Sequence, residues 1–268
     1  NIGLSAKLEY LEERATEAEH KTLALNSFLR YNGNVEVTSS ERAISARLWG
    51  GGETSMEISG ERSYGGFDLG RSNDFAGIGL VTPREIGDRT IYEVRGKSYT
   101  CEDRPKSDYD ALIEQWVKDD HLEEHSDNQI DFNKIESDIV DLTAQHNVFR
   151  WWYDQKFATQ MAQSLINEHG IDVEAFGQTA SNYNEPIRVF LRELEAGNIW
   201  HDGCPCTTWQ ALNLVVHANH GDEWAPDKSH RQKKIDVMVA ILMAFAQCVF
   251  SPAEEEQVPA LFFGYNRQ

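Results

Sequence analysis

The amino-acid sequence predicts an α/β fold, in which a mixed sheet is flanked by helices and preceded by a small, mainly helical N-terminal segment. Two patterns carry this prediction. Three apolar or alternating runs typical of strands follow one another between residues 64 and 100, and helical and strand patterns then alternate to the end of a long apolar helix. With 268 residues and 40% hydrophobic residues, the chain is long and apolar enough to bury a substantial core.

The domain organisation is predicted from one clear break in the pattern. Leucines recur at helical spacing between residues 4 and 11, and a second short helix is expected to end near the break Gly50-Gly51-Gly52. We therefore expect an N-terminal helical or linker segment over residues 1–62, the main domain over 63–252 and a C-terminal tail over 253–268.

Each element of the main domain has its own local signal. The run from Phe75 to Val81 is apolar on both faces, which indicates a central strand. Pro186 and Gly197 bracket a helix in the usual asymmetric way, and the final helix is apolar nearly all round. The predicted elements, in order, are strands 64–69, 75–83 and 89–100, helices 109–118 and 131–146, strand 148–154, helix 156–169, strand 172–177, helices 186–196 and 208–218, a loop or hairpin 222–228, and a last helix from about 233.

Three acids stand at the ends of apolar elements. Asp68 lies inside the first apolar strand, where an unpaired carboxylate is costly. Asp154 closes an aromatic strand, and Asp236 falls in the first turn of the last helix, where the helix dipole favours the ionised form. Carboxylates that converge on a rigid frame are the hard oxygen ligands that Mg²⁺ or Mn²⁺ requires.

Each of these acids also has an ordinary structural interpretation. Asp68 is a possible turn-capping acid, Asp154 a possible N-cap of the following helix, and Asp236 a simple first-turn acid. Asp74 follows Asn73 in a turn and is either a turn-forming residue or a group outside the metal ligands.

The charge of the chain weighs against tight DNA binding by this domain alone. The formal net charge is −19, whereas DNA phosphates are usually met by a basic face. One basic patch adjoins a candidate acid and is either a phosphate contact or a solvated loop. It consists of Lys228, Arg231, Lys233 and Lys234.

The four cysteines are too few and too scattered for a disulfide scaffold, so a reducing compartment is expected. Cys204 and Cys206, with His201, His217 and His220, match no usual zinc spacing, and a zinc site is not favoured. The chain begins at Asn1 without a signal-peptide pattern, and we interpret it as a fragment or a processed product. Gln247 interrupts the longest apolar helix, so a membrane span is not expected.

Three motifs together resemble the C-terminal nuclease domain of tailed-bacteriophage terminase large subunits: Gly66-Phe67-Asp68-Leu69-Gly70, Trp152-Tyr153-Asp154, and Lys234-Ile235-Asp236. Ile199-Trp200-His201-Asp202-Gly203 is similar to the loop that precedes the family's last motif. The resemblance implies an RNase H-like fold and a metal-dependent endonuclease that cleaves double-stranded viral DNA during genome packaging. It implies two Mg²⁺ or Mn²⁺ ions, held by Asp68, Asp154 and Asp236.

The resemblance also implies partners and a setting. They are double-stranded DNA, a terminase ATPase domain, a small terminase subunit and a portal, with a homo-oligomer when full length, in the host-cell cytoplasm. The chain contains no phosphate-binding loop of the form G-x-x-x-x-G-K-[ST], so a packaging motor would lie outside it.

Three rival interpretations stay open. Asp68-Leu69-Gly70 also resembles the first phosphate-binding hairpin of actin-like sugar kinases, although a second such hairpin is lacking. The acidic charge favours a non-catalytic docking module of a packaging complex. Another RNase H-like nuclease, such as a junction resolvase or transposase, would share the chemistry and differ in the DNA structure it prefers.

Overall fold

The computed structural model describes residues 12, 42–55, 60–70, 74–126, 128–219, 221–229 and 232–250. Most of the predicted N-terminal segment lies outside the described residues, as do the turn residues 71–73, His220, Arg231 and the tail 253–268.

Within the described residues, seven strands form one mixed sheet and two more form a separate hairpin. The strand order across the sheet is β4-β3-β2-β1-β5-β6. Strand β7 also pairs with β3, along the part of β3 that β4 does not cover. The β1–β2 and β2–β3 pairs are antiparallel, and the pairs made by β4, β5, β6 and β7 are parallel. The strands are β1 Ser63–Leu69, β2 Ala76–Ile86, β3 Arg89–Cys101, β4 Glu123–His125, β5 Val148–Tyr153, β6 Val173–Ala175, β7 Ile199–His201, β8 Val216–Ala218 and β9 Trp224–Pro226.

Helices cover both faces of the sheet, which confirms the predicted fold class. They are α1 Ala46–Gly50, α2 Asp110–Lys118, α3 Phe132–Gln145, α4 Gln155–Asn167, α5 Ala180–Glu195, α6 Pro205–Asn213 and α7 Asp236–Phe250. On one face, α3 and α4 pack on aromatic side chains of β1 and β5, among them Phe67, Trp151 and Tyr153.

The other face of the sheet carries α7, which is the apolar helix predicted from the sequence. Its residues from Val237 to Gln247 are all buried, and it packs between the sheet and α5. The strands beneath it present glycines at Gly66, Gly77 and Gly79, where a Cβ atom would collide with the helix backbone. The absence of side chains at these positions lets α7 lie close to β1 and β2.

Several predicted boundaries differ from the structure. The helix predicted at 186–196 begins at Ala180, because the Thr179 side chain caps it by accepting from the Asn182 amide at 3.3 Å. The helix predicted at 208–218 is Pro205–Asn213, since the following residues pair as β8 with β9. The predicted loop or hairpin over 222–228 contains the second strand of that hairpin.

The described part of the predicted N-terminal segment packs on the main domain. Ile44 and Trp49 are buried in the same core as α7, and the Thr54 amide donates to the His201 carbonyl at 2.9 Å. Residues 42–55 therefore share the core of the sheet, and the division at residue 62 stays a prediction. In the described residues no helix combines the length and the apolarity that crossing a membrane would require.

Candidate active site

Asp68 lies near the end of β1, and its side chain is only 3% exposed. Its partner across the β1–β2 pair is Gly77. A Cβ atom on Gly77 would stand 2.5 Å from the Val237 amide nitrogen, so the first turn of α7 rests directly on this glycine. The missing side chain at residue 77 thus brings the start of α7 beside Asp68.

Asp154 reaches the same place from β5. The parallel register of β1 and β5 pairs Phe67 with Tyr153, and Asp68 and Asp154 each follow by one residue. Neighbouring strands lie about 4.8 Å apart, so the two acids are neighbours. The Asp154 Oδ1 accepts from the Lys156 amide at 3.0 Å at the start of α4. Lys156 and Phe157 have non-helical backbone angles, so this bond holds a turn before the regular part of the helix. A ligand role of Asp154 stays a prediction.

Asp236 begins α7 and completes the group of acids. Burial and the nearby Asp68 carboxylate raise the pKa of Asp236 to about 7, and the Lys228 ammonium opposes this shift. Burial likewise raises the pKa of Asp68, which Lys228 lowers and Asp154 raises. Asp68 is thus close enough to both Asp154 and Asp236 for their carboxylates to repel, and we call the three residues the acid cluster: Asp68, Asp154 and Asp236.

Lys228 supplies the positive charge of this site. Its Nζ donates to Asp68 Oδ2 at 2.6 Å, although the Lys228 side chain as a whole is 42% exposed. Desolvation alone would lower the pKa of Lys228, but Asp68, Asp236 and Asp154 outweigh it and raise that pKa. Lys228 therefore reaches into the acid cluster from an exposed loop position.

The rest of the predicted basic patch is only partly described. Lys234 Nζ lies 2.5 Å from Asp74 Oδ1, so a second lysine of the patch faces an acid beside the site. Lys233 is partly exposed, and Arg231 lies outside the described residues. Phosphate contact by these residues stays a prediction, as does an outer role for Asp74.

The acid cluster fits a divalent ion by its chemistry more than by its present arrangement. Its donors are carboxylate oxygens on a rigid frame, and the Lys228 ammonium already stands against one of them as a cation. In the part of the chain that the structure describes, no three His, Cys, Asp or Glu side chains are arranged to hold a metal ion as they stand. One oxygen of Asp68 accepts from Lys228, and one oxygen of Asp154 accepts from the Lys156 amide. The second oxygen of each carboxylate is the one that would hold an ion.

His201 has a structural role. Its ring stacks on Trp49 with 4.2 Å between centroids, and its Nε2 lies 2.8 Å from the Trp49 carbonyl oxygen. Its Nδ1 accepts from the Gly203 amide at 3.1 Å. Both ring nitrogens of His201 are thus engaged by backbone groups.

Two further residues at the site have no signal in the sequence. Gln210 is fully buried, and its Oε1 accepts from the Val237 amide at 2.9 Å, which satisfies a free donor in the first turn of α7. Its Nε2 donates to Ser98 Oγ at 2.8 Å. Tyr183 is also buried, and burial and the Asp68 carboxylate hold its pKa well above the ordinary value.

Comparison with known proteins gives the family. The family model described as "Terminase large subunit, endonuclease domain" matches residues 1–251. Protein YmfN of Escherichia coli (strain K12) is 23% identical over 275 residues, covering 95% of this chain and 59% of YmfN. The terminase large subunit of Enterobacteria phage HK97 is 26% identical over 234 residues, covering 82% of this chain and 44% of the phage protein.

The fold is shared with a solved structure. The crystal structure of the HK97 bacteriophage large terminase superposes with a TM-score of 0.69 and 21% identity, over 91% of this chain and 51% of the terminase. This likeness confirms the predicted RNase H-like fold of terminase nucleases. The chain spans about half the length of the relatives that it matches. By the match over nearly its whole length, the chain belongs to the family of terminase large-subunit endonuclease domains.

Proposed function

We propose that this chain is an endonuclease that cuts double-stranded viral DNA during genome packaging, by metal-dependent hydrolysis of phosphodiester bonds. The observation that carries the proposal is the acid cluster itself. Asp68 lies on β1, Asp154 follows the parallel strand β5, and Asp236 begins α7, which packs on both strands. The three acids therefore lie together at one end of the sheet. Asp68 is buried and Asp154 and Asp236 are partly buried. Like charges that are partly desolvated are costly unless a cation compensates them, and this cost supports a cation-binding role.

The roles follow from the chemistry of the residues. Two divalent ions, Mg²⁺ or Mn²⁺, would supply an activated water and stabilise the leaving oxygen. Asp68, Asp154 and Asp236 would hold them as ligands. The rigid elements keep the carboxylates in place, and Gln210 and Tyr183 support the surrounding frame. Lys233, Lys234 and Arg231 are candidates for contacts to DNA phosphates.

The proposed partners belong to the longer protein that the relatives represent. They are double-stranded DNA, an ATPase domain, a small terminase subunit and a portal, with assembly of several copies in the host-cell cytoplasm. The net charge of −19 supports weak DNA binding by this chain alone. We therefore infer that other parts of the packaging machinery hold the DNA against the acid cluster.

The test is a plasmid-nicking assay at low salt with Mg²⁺, with Mn²⁺ and with chelator. The wild-type chain should nick in the presence of either ion and not with chelator, and Asp68→Asn should lose cleavage while melting cooperatively. Asp88→Asn is the matched control, because Asp88 is an exposed acid in the β2–β3 turn. If Asp68→Asn nicks plasmid as fast as Asp88→Asn in Mn²⁺, Asp68 is not a ligand.

A docking module without catalysis is the second candidate, and the Lys228–Asp68 ion pair is the observation that favours it. An ammonium held on one carboxylate suits a site that has lost its metals. Such a module would show no Mn²⁺ binding that depends on Asp236, whereas the nuclease would lose Mn²⁺ binding in Asp236→Asn.

A further inference from the structure

Lys228 is the residue of the site that the proposed nuclease chemistry leaves unexplained. Its ammonium lies 2.6 Å from an oxygen of Asp68, which is the most deeply buried acid of the cluster. Three carboxylates without a cation would repel one another in this partly desolvated place. Lys228 therefore offsets a charge that divalent ions would otherwise have to neutralise.

Hydrogen bonds hold the backbone around Lys228, and its side chain is long and has several rotatable bonds. The Asp227 amide donates to the Val215 carbonyl at 2.8 Å, and the Ser229 amide donates to Asp227 Oδ1 at 2.8 Å. These bonds hold a tight turn with Lys228 at its centre. The flexible four-carbon stem of lysine extends from this exposed turn to the buried carboxylate. Rotation of the stem would withdraw the ammonium without any change in the fold.

We propose that Lys228 is a tethered counter-ion, which occupies the Asp68 side of the acid cluster in the metal-free protein and gives way to a divalent ion when one binds. This inference rests on the proposed function. It makes Lys228 a residue that sets metal affinity by competition: the same Asp68 oxygen cannot accept closely from the ammonium and coordinate an ion on the same side. Lys228 would then keep the resting site compact and weaken its affinity for metal.

The experiment measures Mn²⁺ binding to the metal-free chain by isothermal titration calorimetry at pH 8, together with thermal melting in chelator. Lys228→Met keeps the length of the side chain and removes its charge. The Lys228 ammonium repels a divalent ion placed a few ångströms away, and in a partly desolvated site such a repulsion changes an equilibrium constant by about a factor of ten or more, so Lys228→Met should bind Mn²⁺ at least about tenfold more tightly. In chelator it should melt several degrees below the wild type, because Asp68 loses its partner.

Two control variants make the result specific. Lys228→Arg keeps the charge and should bind Mn²⁺ as the wild type does. Lys134→Met removes a lysine that is also about half exposed, at 44%, and that also pairs with a carboxylate, that of Asp138. It should leave Mn²⁺ affinity unchanged, because Asp138 lies outside the acid cluster.

The outcomes separate this inference from the proposed function. If the wild type binds Mn²⁺ and Asp236→Asn does not, the nuclease proposal is supported; Lys228→Met with equal or weaker Mn²⁺ affinity then overturns the tethered counter-ion alone. If Mn²⁺ binds to neither the wild type nor Lys228→Met, both proposals fail together. Tighter Mn²⁺ binding in Lys228→Met, with no gain in Lys134→Met, supports the tethered counter-ion.

Discussion

Gly66 on β1 lies directly beneath Ala240 on α7: a Cβ atom at residue 66 would stand 2.1 Å from the Ala240 carbonyl oxygen. Gly79 on β2 has the same relation to the Ile241 amide nitrogen, at 2.3 Å. These contacts are with backbone atoms, which cannot rotate away as a flexible side chain can. The distance between α7 and the sheet, and with it the place of Asp236, therefore depends on glycine at both positions.

Gly66→Ala should destabilise the chain and move the start of α7 away from β1. Overpacking of a buried contact typically costs about 1–3 kcal/mol, and we expect at least about 2 kcal/mol here because the obstacle is backbone. Urea denaturation gives the change. Gly50→Ala is the control, since a Cβ atom there meets nothing within 4 Å. An unchanged urea midpoint for Gly66→Ala would show that α7 is not seated as described.

The stability of the metal-free chain should fall as the pH rises through neutrality. The pKa of Asp236 is about 7 in the folded chain, and an unfolded Asp has a value of about 3.9. Between these two pKa values the folded chain keeps a proton on Asp236 that the unfolded chain has lost. The stabilisation that this proton gives is therefore fully present below about pH 4 and is lost as the pH rises through about 7. Asp68 acts in the same direction, since its pKa is also raised.

Asp236→Asn isolates the contribution of this residue. At pH 8 in chelator, Asp236→Asn should be more stable than the wild type by about 1–3 kcal/mol, because one pKa unit corresponds to about 1.4 kcal/mol and the shift is shared with Asp68. The difference should shrink towards pH 5. Urea titrations at pH 5, 6.5 and 8 measure it, and parallel pH dependences for the two proteins would contradict the raised pKa.

The parts of the fold that were predictable are those with a local signal. β1, β2 and β3 are long enough to show their apolar and alternating patterns, and α7 is apolar over its whole length. β4 and β7 were missed, because each has three residues and is a strand only through its pairing with β3. Family resemblance, more than periodicity, indicated that Asp68, Asp154 and Asp236 would meet.

The partners of those acids were beyond sequence reasoning. Lys228 and Asp68 are 160 positions apart, and nothing near either residue indicates the other. Gln210 lies in an ordinary helical pattern. Its hydrogen bond with the Val237 amide forms only when α7, from a distant part of the chain, packs beside it. Contacts of this kind are set by the packing of whole elements, which a local pattern does not encode.

Gln210→Leu should cost stability and disturb the start of α7. The substitution keeps a buried side chain of similar size, but it leaves the Val237 amide without its acceptor and removes the donor to Ser98. A buried donor left unsatisfied costs about 1–3 kcal/mol. Gln115→Leu is the control, because Gln115 is an exposed residue of α2 whose side-chain amide donates to the exposed Asp119 at 2.6 Å. Equal urea midpoints for the two variants would rule out the capping role of Gln210.

The Phe157→Gly variant should be more stable to unfolding than the Phe157→Ala variant. Lys156 has φ −68° and ψ 118° and Phe157 has φ 71° and ψ −12°, which are the angles of a type II turn that favours glycine at its third position. A left-handed conformation costs a non-glycine residue about 1–2 kcal/mol. Because the Phe157 side chain is 52% exposed, both variants lose only part of an apolar contact, and Phe157→Gly alone relieves the backbone.

The matched control for this comparison is Phe149, which is 48% exposed and lies in β5. In a strand, glycine is less stable than alanine by about 0.5–1 kcal/mol, so the order should reverse between the two sites. Urea denaturation of the four variants measures both differences. If Phe157→Ala is as stable as Phe157→Gly, the positive φ at residue 157 imposes no strain, and the turn after Asp154 is held by other contacts.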